Sequence, residues 1–79
     1  MNQELNLIDK MEKNDKLIRE DFRKLQETYG NEYIAIENGE ILNHDRDMKN
    51  LMNKLKSMKK DLTLILIQFI PEKGLEILF

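Results

Sequence analysis

The pair Asn38-Gly39, set between two runs of alternating residues, constrains this chain more than any other feature. Asn-Gly readily takes the positive backbone angles that a two-residue hairpin turn demands. The run before it, Glu32 to Glu37, holds Tyr33-Ile34-Ala35-Ile36, and the run after it covers Glu40 to His44. β-Branched and aromatic residues favour strands, so an antiparallel hairpin is expected over residues 32–44. If Ile34, Ile36 and Ile41 point toward helices, strict alternation sends Tyr33, Ala35, Leu42 and His44 the other way.

The rest of the chain has to pack against that hairpin. Residues 2–28 read as helix, because Ile8, Met11, Ile18, Phe22, Leu25 and Tyr29 recur at three–four spacing. Asp15 falls on that stripe, which predicts a kink, a break or an end of burial at Asn14-Asp15. Gly30 is the expected left-handed cap. Asp45 is a plausible N-cap for a second helix whose apolar stripe is Met48, Leu51, Met52, Leu55 and Met58. Leu62 to Ile70 reads as a third strand. Leu64-Ile65-Leu66-Ile67 is apolar on both faces, which places that strand centrally. Pro71-Glu72-Lys73-Gly74 is a turn, and Leu75 to Phe79 reads as a fourth strand.

The expected architecture is α+β, in the order α-β-β-α-β-β. It has one four-stranded antiparallel sheet of strand order 2-1-3-4 and two helices on one face. Seventy-nine residues make one domain, with residues 1–20 as a helical N-terminal extension and residues 21–79 as a compact core.

Composition removes whole classes of activity. There is no cysteine, hence no disulfide scaffold, no thiolate metal site and no cysteine nucleophile. The three glycines, Gly30, Gly39 and Gly74, each sit at a turn and do not form a phosphate-binding loop or a dinucleotide fingerprint. The one histidine, His44, stands beside Asp45 with Asp47 near. Such a pair can orient an imidazole for base catalysis or metal binding, but no nucleophile accompanies it. A histidine at a strand end next to a helix-capping aspartate is the commoner meaning. Glu37 and Glu40 flank an exposed hairpin tip, where water screens them. The chain is therefore expected not to be an enzyme and to use no cofactor or metal.

The longest apolar run is Leu64 to Ile67, far short of a membrane span. The first residues lack the basic and apolar regions of a signal peptide, so a cytoplasmic location is expected.

Charge is segregated along the chain. Residues 46–61 carry a balance of +4, from Arg46, Lys49, Lys54, Lys56, Lys59 and Lys60 against Asp47 and Asp61. Residues 30–45 carry −4, from Glu32, Glu37, Glu40 and Asp45. Lys49, Lys56 and Lys60 fall close to one helical face, a stripe that could follow phosphates. No aromatic residue interleaves with it for base stacking, so a solvated face is the commoner meaning.

Residues 21–79 resemble a family of small uncharacterised proteins common in archaea and also found in bacteria. The likeness lies in Phe22 and Leu25 with Tyr29-Gly30, in Tyr33-Ile34-Ala35-Ile36, in Asn38-Gly39-Glu40-Ile41, and in His44. Where the family pattern usually has glycine after the histidine, this chain has Asp45. The family is a domain of unknown function, so the resemblance implies a compact α+β unit and no particular activity.

Two apolar features exceed what a small core needs. A helix of this length is roughly 40 Å long and overhangs a small domain, yet its first half carries Leu5, Ile8 and Met11. The back of the sheet carries Tyr33, Ala35 and Leu42. Either the N-terminal helix covers that back face, or a partner does. Cores of this size supply few kcal/mol, which favours association. The expected function is protein–protein interaction, as a homodimer or accessory subunit, through Leu5, Ile8, Met11, Tyr33, Ala35 and Leu42. The alternative is a nucleic-acid-binding or antitoxin-like regulator using Lys49, Lys56 and Lys60.

Overall fold

The computed structural model of the chain describes residues 3–73, with side chains from Ile8 onward. Helix α1 covers Gln3–Glu20 and helix α2 covers Phe22–Tyr29. Strands β1, Glu32–Glu37, and β2, Glu40–Asp45, form the hairpin. Helix α3 covers Met48–Ser57, a 3-10 turn covers Leu62–Leu64, and strand β3 covers Leu66–Ile70.

The hairpin is built as its turn residues require, with Asn38 at φ 53° and Gly39 at φ 79°. Both strands flanking the turn join an antiparallel sheet of order β2-β1-β3. The overall α+β class agrees with the sequence reading, but its details are corrected. Among the described residues there are three helices and three strands, in place of two helices and a four-stranded sheet. The expected fourth strand, Leu75 to Phe79, lies outside the described residues. β1 is the central strand, and β3 is shorter than expected because Asp61 diverts the chain. Its carboxylate accepts from the Thr63 N–H at 3.0 Å and the Thr63 hydroxyl at 2.7 Å, winding Leu62–Leu64 into a 3-10 turn.

The helices do not share one face. On one side, Ile34, Ile36 and Ile70 pack with Leu25 of α2, and Leu17, Ile18, Tyr29 and Ile41 close around them. On the other side, Ala35 packs with Leu51 and Leu55 of α3, ringed by Tyr33, Leu42, Met52, Leu62, Ile65 and Ile67. The protein is thus a three-layer sandwich. Burying Ile34, Ile36, Leu51, Leu55 and Ile70 completely removes each from water at a gain of about 1.5–3 kcal/mol per side chain. Two apolar stripes on one short hairpin cannot both be met from one side, so each recruits its own helical cover.

The helix boundaries also differ from expectation. α1 runs unbroken through Asn14-Asp15, and the chain bends at Asp21, which separates α1 from α2. Backbone bonds still bridge the bend, from the Asp21 N–H to the Leu17 carbonyl and from the Leu25 N–H to the Asp21 carbonyl. Gly30 is not left-handed: its φ is −52°, and Asn31 at φ 68° takes the left-handed position. Glycine is still required at 30, because a Cβ there would lie 2.7 Å from the Gln26 carbonyl oxygen. The N-cap of α3 is Asp47, whose side chain accepts from the Lys49 N–H at 2.9 Å. Asp45, the expected cap, accepts from the Asp47 N–H at 2.8 Å.

Candidate interaction surface

Alternation along β2 fails at one place. Tyr33 pairs with Asp45, Ile34 with His44 and Ala35 with Asn43, but Ile36 pairs with Ile41. Leu42 is therefore the extra residue of a β-bulge, which resets the alternation beyond it. Leu42 and Asn43 both serve the α3 side: Leu42 packs with the Ala35–Leu51–Leu55 cluster, and Asn43 Nδ2 lies 3.9 Å from Met58 Sδ. His44 is turned to the α2 side, opposite to the side that strict alternation gives it.

There His44 Nδ1 sits 2.7 Å from Glu32 Oε1, and its ring stacks at 58° against Tyr29 with centroids 4.8 Å apart. Asp45 faces away from His44. Its Oδ2 lies 3.0 Å from Lys54 Nζ, which also donates to the His44 carbonyl at 2.9 Å. The Asp47 N–H and then the Lys54 ammonium hold the Asp45 carboxyl below the usual aspartate range. The His44–Asp45 pair read from the sequence is thus split between two faces. Each half ties the hairpin to its neighbours. Among the described residues, no group of three His, Cys, Asp or Glu side chains is arranged to hold a metal ion.

The back face named in the sequence reading is covered by α3. Ala35 is fully buried, while Tyr33 and Leu42 are half-buried within the α3 layer. Leu5 lies on α1, with its side chain outside the described residues. Ile8 and Met11 stand out from the body of the molecule, 50% and 59% exposed. They overlook an open cleft of about 600 Å³, whose lining includes Asn14, Leu64, Ile65 and Leu66. The cleft separates the first half of α1 from the start of β3. Sequence reasoning found one wall of it, Ile8 and Met11, but missed Leu64 and Leu66. The apolar run Leu64 to Ile67 points to a strand buried on both faces, whereas Leu64 lies in the 3-10 turn and Leu66 opens β3.

Leu17 and Ile18 pack α1 against the core, and a buried polar contact fixes it further toward its middle. Asn14 is 4% exposed, and its Oδ1 accepts from the Gly39 N–H at 2.7 Å. The hairpin tip would otherwise leave that donor poorly satisfied. The helix does not kink at Asn14-Asp15; Asn14 anchors it to the hairpin tip, and the first half of α1 projects past that anchor. The molecule measures 44 × 27 × 19 Å.

The basic face is less free than its composition suggests. Lys60 Nζ lies 3.1 Å from Glu37 Oε1, so that lysine spends its charge on the hairpin. Lys49 and Lys56 are exposed on the outer side of α3, with Asn53 between them.

No helix among the described residues is long and apolar enough to cross a membrane. No curated protein and no solved structure matches the chain. The family DUF5678, described only as a family of unknown function, matches residues 24–73. That match runs from α2 through β3, takes in the hairpin, α3 and the wall of the cleft formed by Leu64–Leu66, and leaves α1 outside. With more than half of its length matched, the chain belongs to the DUF5678 family of unknown function.

Proposed function

We propose that this chain is a cytoplasmic protein–protein interaction module with no catalytic chemistry of its own, acting as a homodimer or an accessory subunit. It docks through the apolar wall made by the first half of α1 and the start of β3. One observation carries this reading: Ile8, Met11 and Leu66 are exposed together around an open cleft, while the two buried apolar clusters of the described residues lie under helices. Contiguous exposed apolar surface on a small protein marks a contact site. The version that used Tyr33, Ala35 and Leu42 has lost its surface to α3.

A specific interface removes roughly 800 Å² per partner, about one-seventh of the 5935 Å² this molecule exposes. The cleft must therefore be the centre of a larger patch, which extends onto β3.

The test compares the wild-type chain with Ile8→Glu/Met11→Glu, by sedimentation velocity of the purified protein and by affinity capture from the host with and without nuclease. The double variant should keep its circular dichroism spectrum and lose association. Unchanged association would overturn the reading. A second reading, nucleic-acid binding through Lys49 and Lys56, is favoured only by the exposure of those lysines. It gains if capture is nuclease-sensitive and falls steeply with salt.

A further inference from the structure

The two edges of the sheet are finished differently. β2 carries Glu40, His44 and Asp45 and contains the bulge at Leu42, which are devices that blunt an edge against pairing. β3 reads Leu66-Ile67-Gln68-Phe69-Ile70, with no charge and no proline, and its register with β1 is unbroken. Among the described residues no strand pairs with its outer side.

The outer side is equipped to pair. The Ile70 carbonyl accepts from the Asn31 N–H at 2.7 Å, so Ile70 points its backbone groups inward. Backbone groups alternate along an antiparallel strand, so Ile67 and Phe69 direct theirs outward. Gln68 Nε2 reaches the Phe69 carbonyl at 3.1 Å, so an outward acceptor is met by the side chain of its own neighbour. That is a local bond, and a ladder bond can replace it.

We propose that a second copy of the chain adds its β3 to this one, antiparallel across a twofold axis at Gln68. The proposal rests on the interaction reading above and names its partner. Self-pairing around a twofold axis sets a strand against itself, so a charge near the axis meets its own sign. β3 has none to meet. Outward residues must oppose outward residues, and centring on Gln68 pairs all five. Ile67 then faces the partner's Phe69, and Leu66 faces the partner's Ile70. A shift of two residues leaves only three pairs. The added strand lies beside Leu66, so it also shields Ile8 and Met11.

The experiment is sedimentation equilibrium on the full-length chain. Wild type should approach twice the 9.5 kDa monomer mass. Gln68→Lys and Gln68→Glu each set like charges on the axis, and each should weaken association roughly a hundredfold with an unchanged circular dichroism spectrum. An equimolar mixture of the two, one of them isotope-labelled, should recover a heterodimer by native mass spectrometry. Gln68→Lys that dimerises like wild type overturns the strand pairing. If Ile8→Glu/Met11→Glu nevertheless dissociates, the interaction reading survives without it. A wild-type monomer whose Ile67 and Phe69 amides resist exchange also overturns the pairing, and assigns that edge to the chain's own residues 74–79. A wild-type monomer that captures a different protein through Ile8 and Met11 overturns the second copy and keeps the module.

Discussion

One face of the sheet lies under α3 and the other under α1 and α2, and different chemistry holds the two covers in place. On the α3 side the centre is purely apolar, with Ala35, Leu51 and Leu55 all fully buried. Charge is kept to the rim, where Lys54 meets Asp45 and Lys60 meets Glu37. Alanine at the middle of the sheet lets the helix approach closely. On the other side, the larger Ile34 and Ile36 fill the layer and α2 supplies Leu25. α1 adds Leu17 and Ile18 near its end, and nearer its middle one buried amide, Asn14 on Gly39, fixes it to the hairpin tip. A helix pinned at its middle leaves one arm projecting, and that arm carries Ile8 and Met11. The α3 cover falls inside the region that defines the family, and α1 falls outside it. The common core is thus closed by hydrophobic burial, and the candidate docking surface is made by the arm of α1 that projects past its buried polar contact.

The largest effect separates the two covers by stability. Leu51→Ala or Leu55→Ala leaves a cavity in a fully buried site and should cost about 2–5 kcal/mol. A chain of this length is held by only about 4–12 kcal/mol in all, so either variant spends a large share of it. Leu17→Ala, at a half-buried position on the inner side of α1, should cost less than half as much. Urea titrations followed by circular dichroism give the comparison. Equal costs would make α1 as much a part of the core as α3.

Next in size is the anchor itself. Asn14→Ala removes the acceptor and leaves the Gly39 N–H without it, which costs about 1–3 kcal/mol. The loss should be local. Hydrogen exchange should speed up at Gly39 and along α1, while the amides of α3 keep their protection. Acceleration of both sets together would show that the two covers open as one unit.

The hairpin, the helices and most core positions were legible because each has a local cause: Asn38-Gly39 for the turn, three–four spacing for the helices, alternation for the strands. The errors came where a single residue overrides a periodic rule. The bulge at Leu42 inserts one residue into an alternating pattern and sends His44 to the wrong side, and nothing in Glu40-Ile41-Leu42-Asn43-His44 announces it. Asp15 on the apolar stripe points to a kink, a break or an end of burial, yet the helix is continuous there and the neighbouring Asn14 is the buried anchor, a role visible only once the hairpin tip lies against it. Leu64-Ile65-Leu66-Ile67 reads as a central strand because apolar runs look alike whether a strand or a turn buries them. Asp61-Leu62-Thr63 held the missed signal, since aspartate two residues before threonine favours a side-chain-capped turn. The interface residues divide in the same way. Ile8 and Met11 stand exposed, whereas Tyr33, Ala35 and Leu42 are covered, because α3 lies on the face that alternation leaves open.

The smallest effect sharpens the comparison through pH. The Asp45 carboxylate accepts from the Asp47 N–H and pairs with Lys54, and both contacts favour its charged form, so its pKa lies below the ordinary value. A group depressed in the folded state contributes stability that is present above its unfolded pKa, about 4 for aspartate. That contribution is lost as the pH falls through the folded value. Acid should therefore loosen the start of α3 first, because the same carboxylate bridges the end of β2, the Asp47 cap and Lys54. Asp45→Asn keeps an acceptor for the Asp47 N–H but loses the charge, so the acid sensitivity of the α3 amides should flatten. The anchor on the other face, an amide on a backbone N–H, has no proton to gain, so the Gly39 amide should keep its protection through the same window. Amide exchange read residue by residue between about pH 5 and pH 3 decides it. If Gly39 loses protection in step with α3, the rim of charges and the buried amide belong to a single cooperative unit, and the division between the two covers fails.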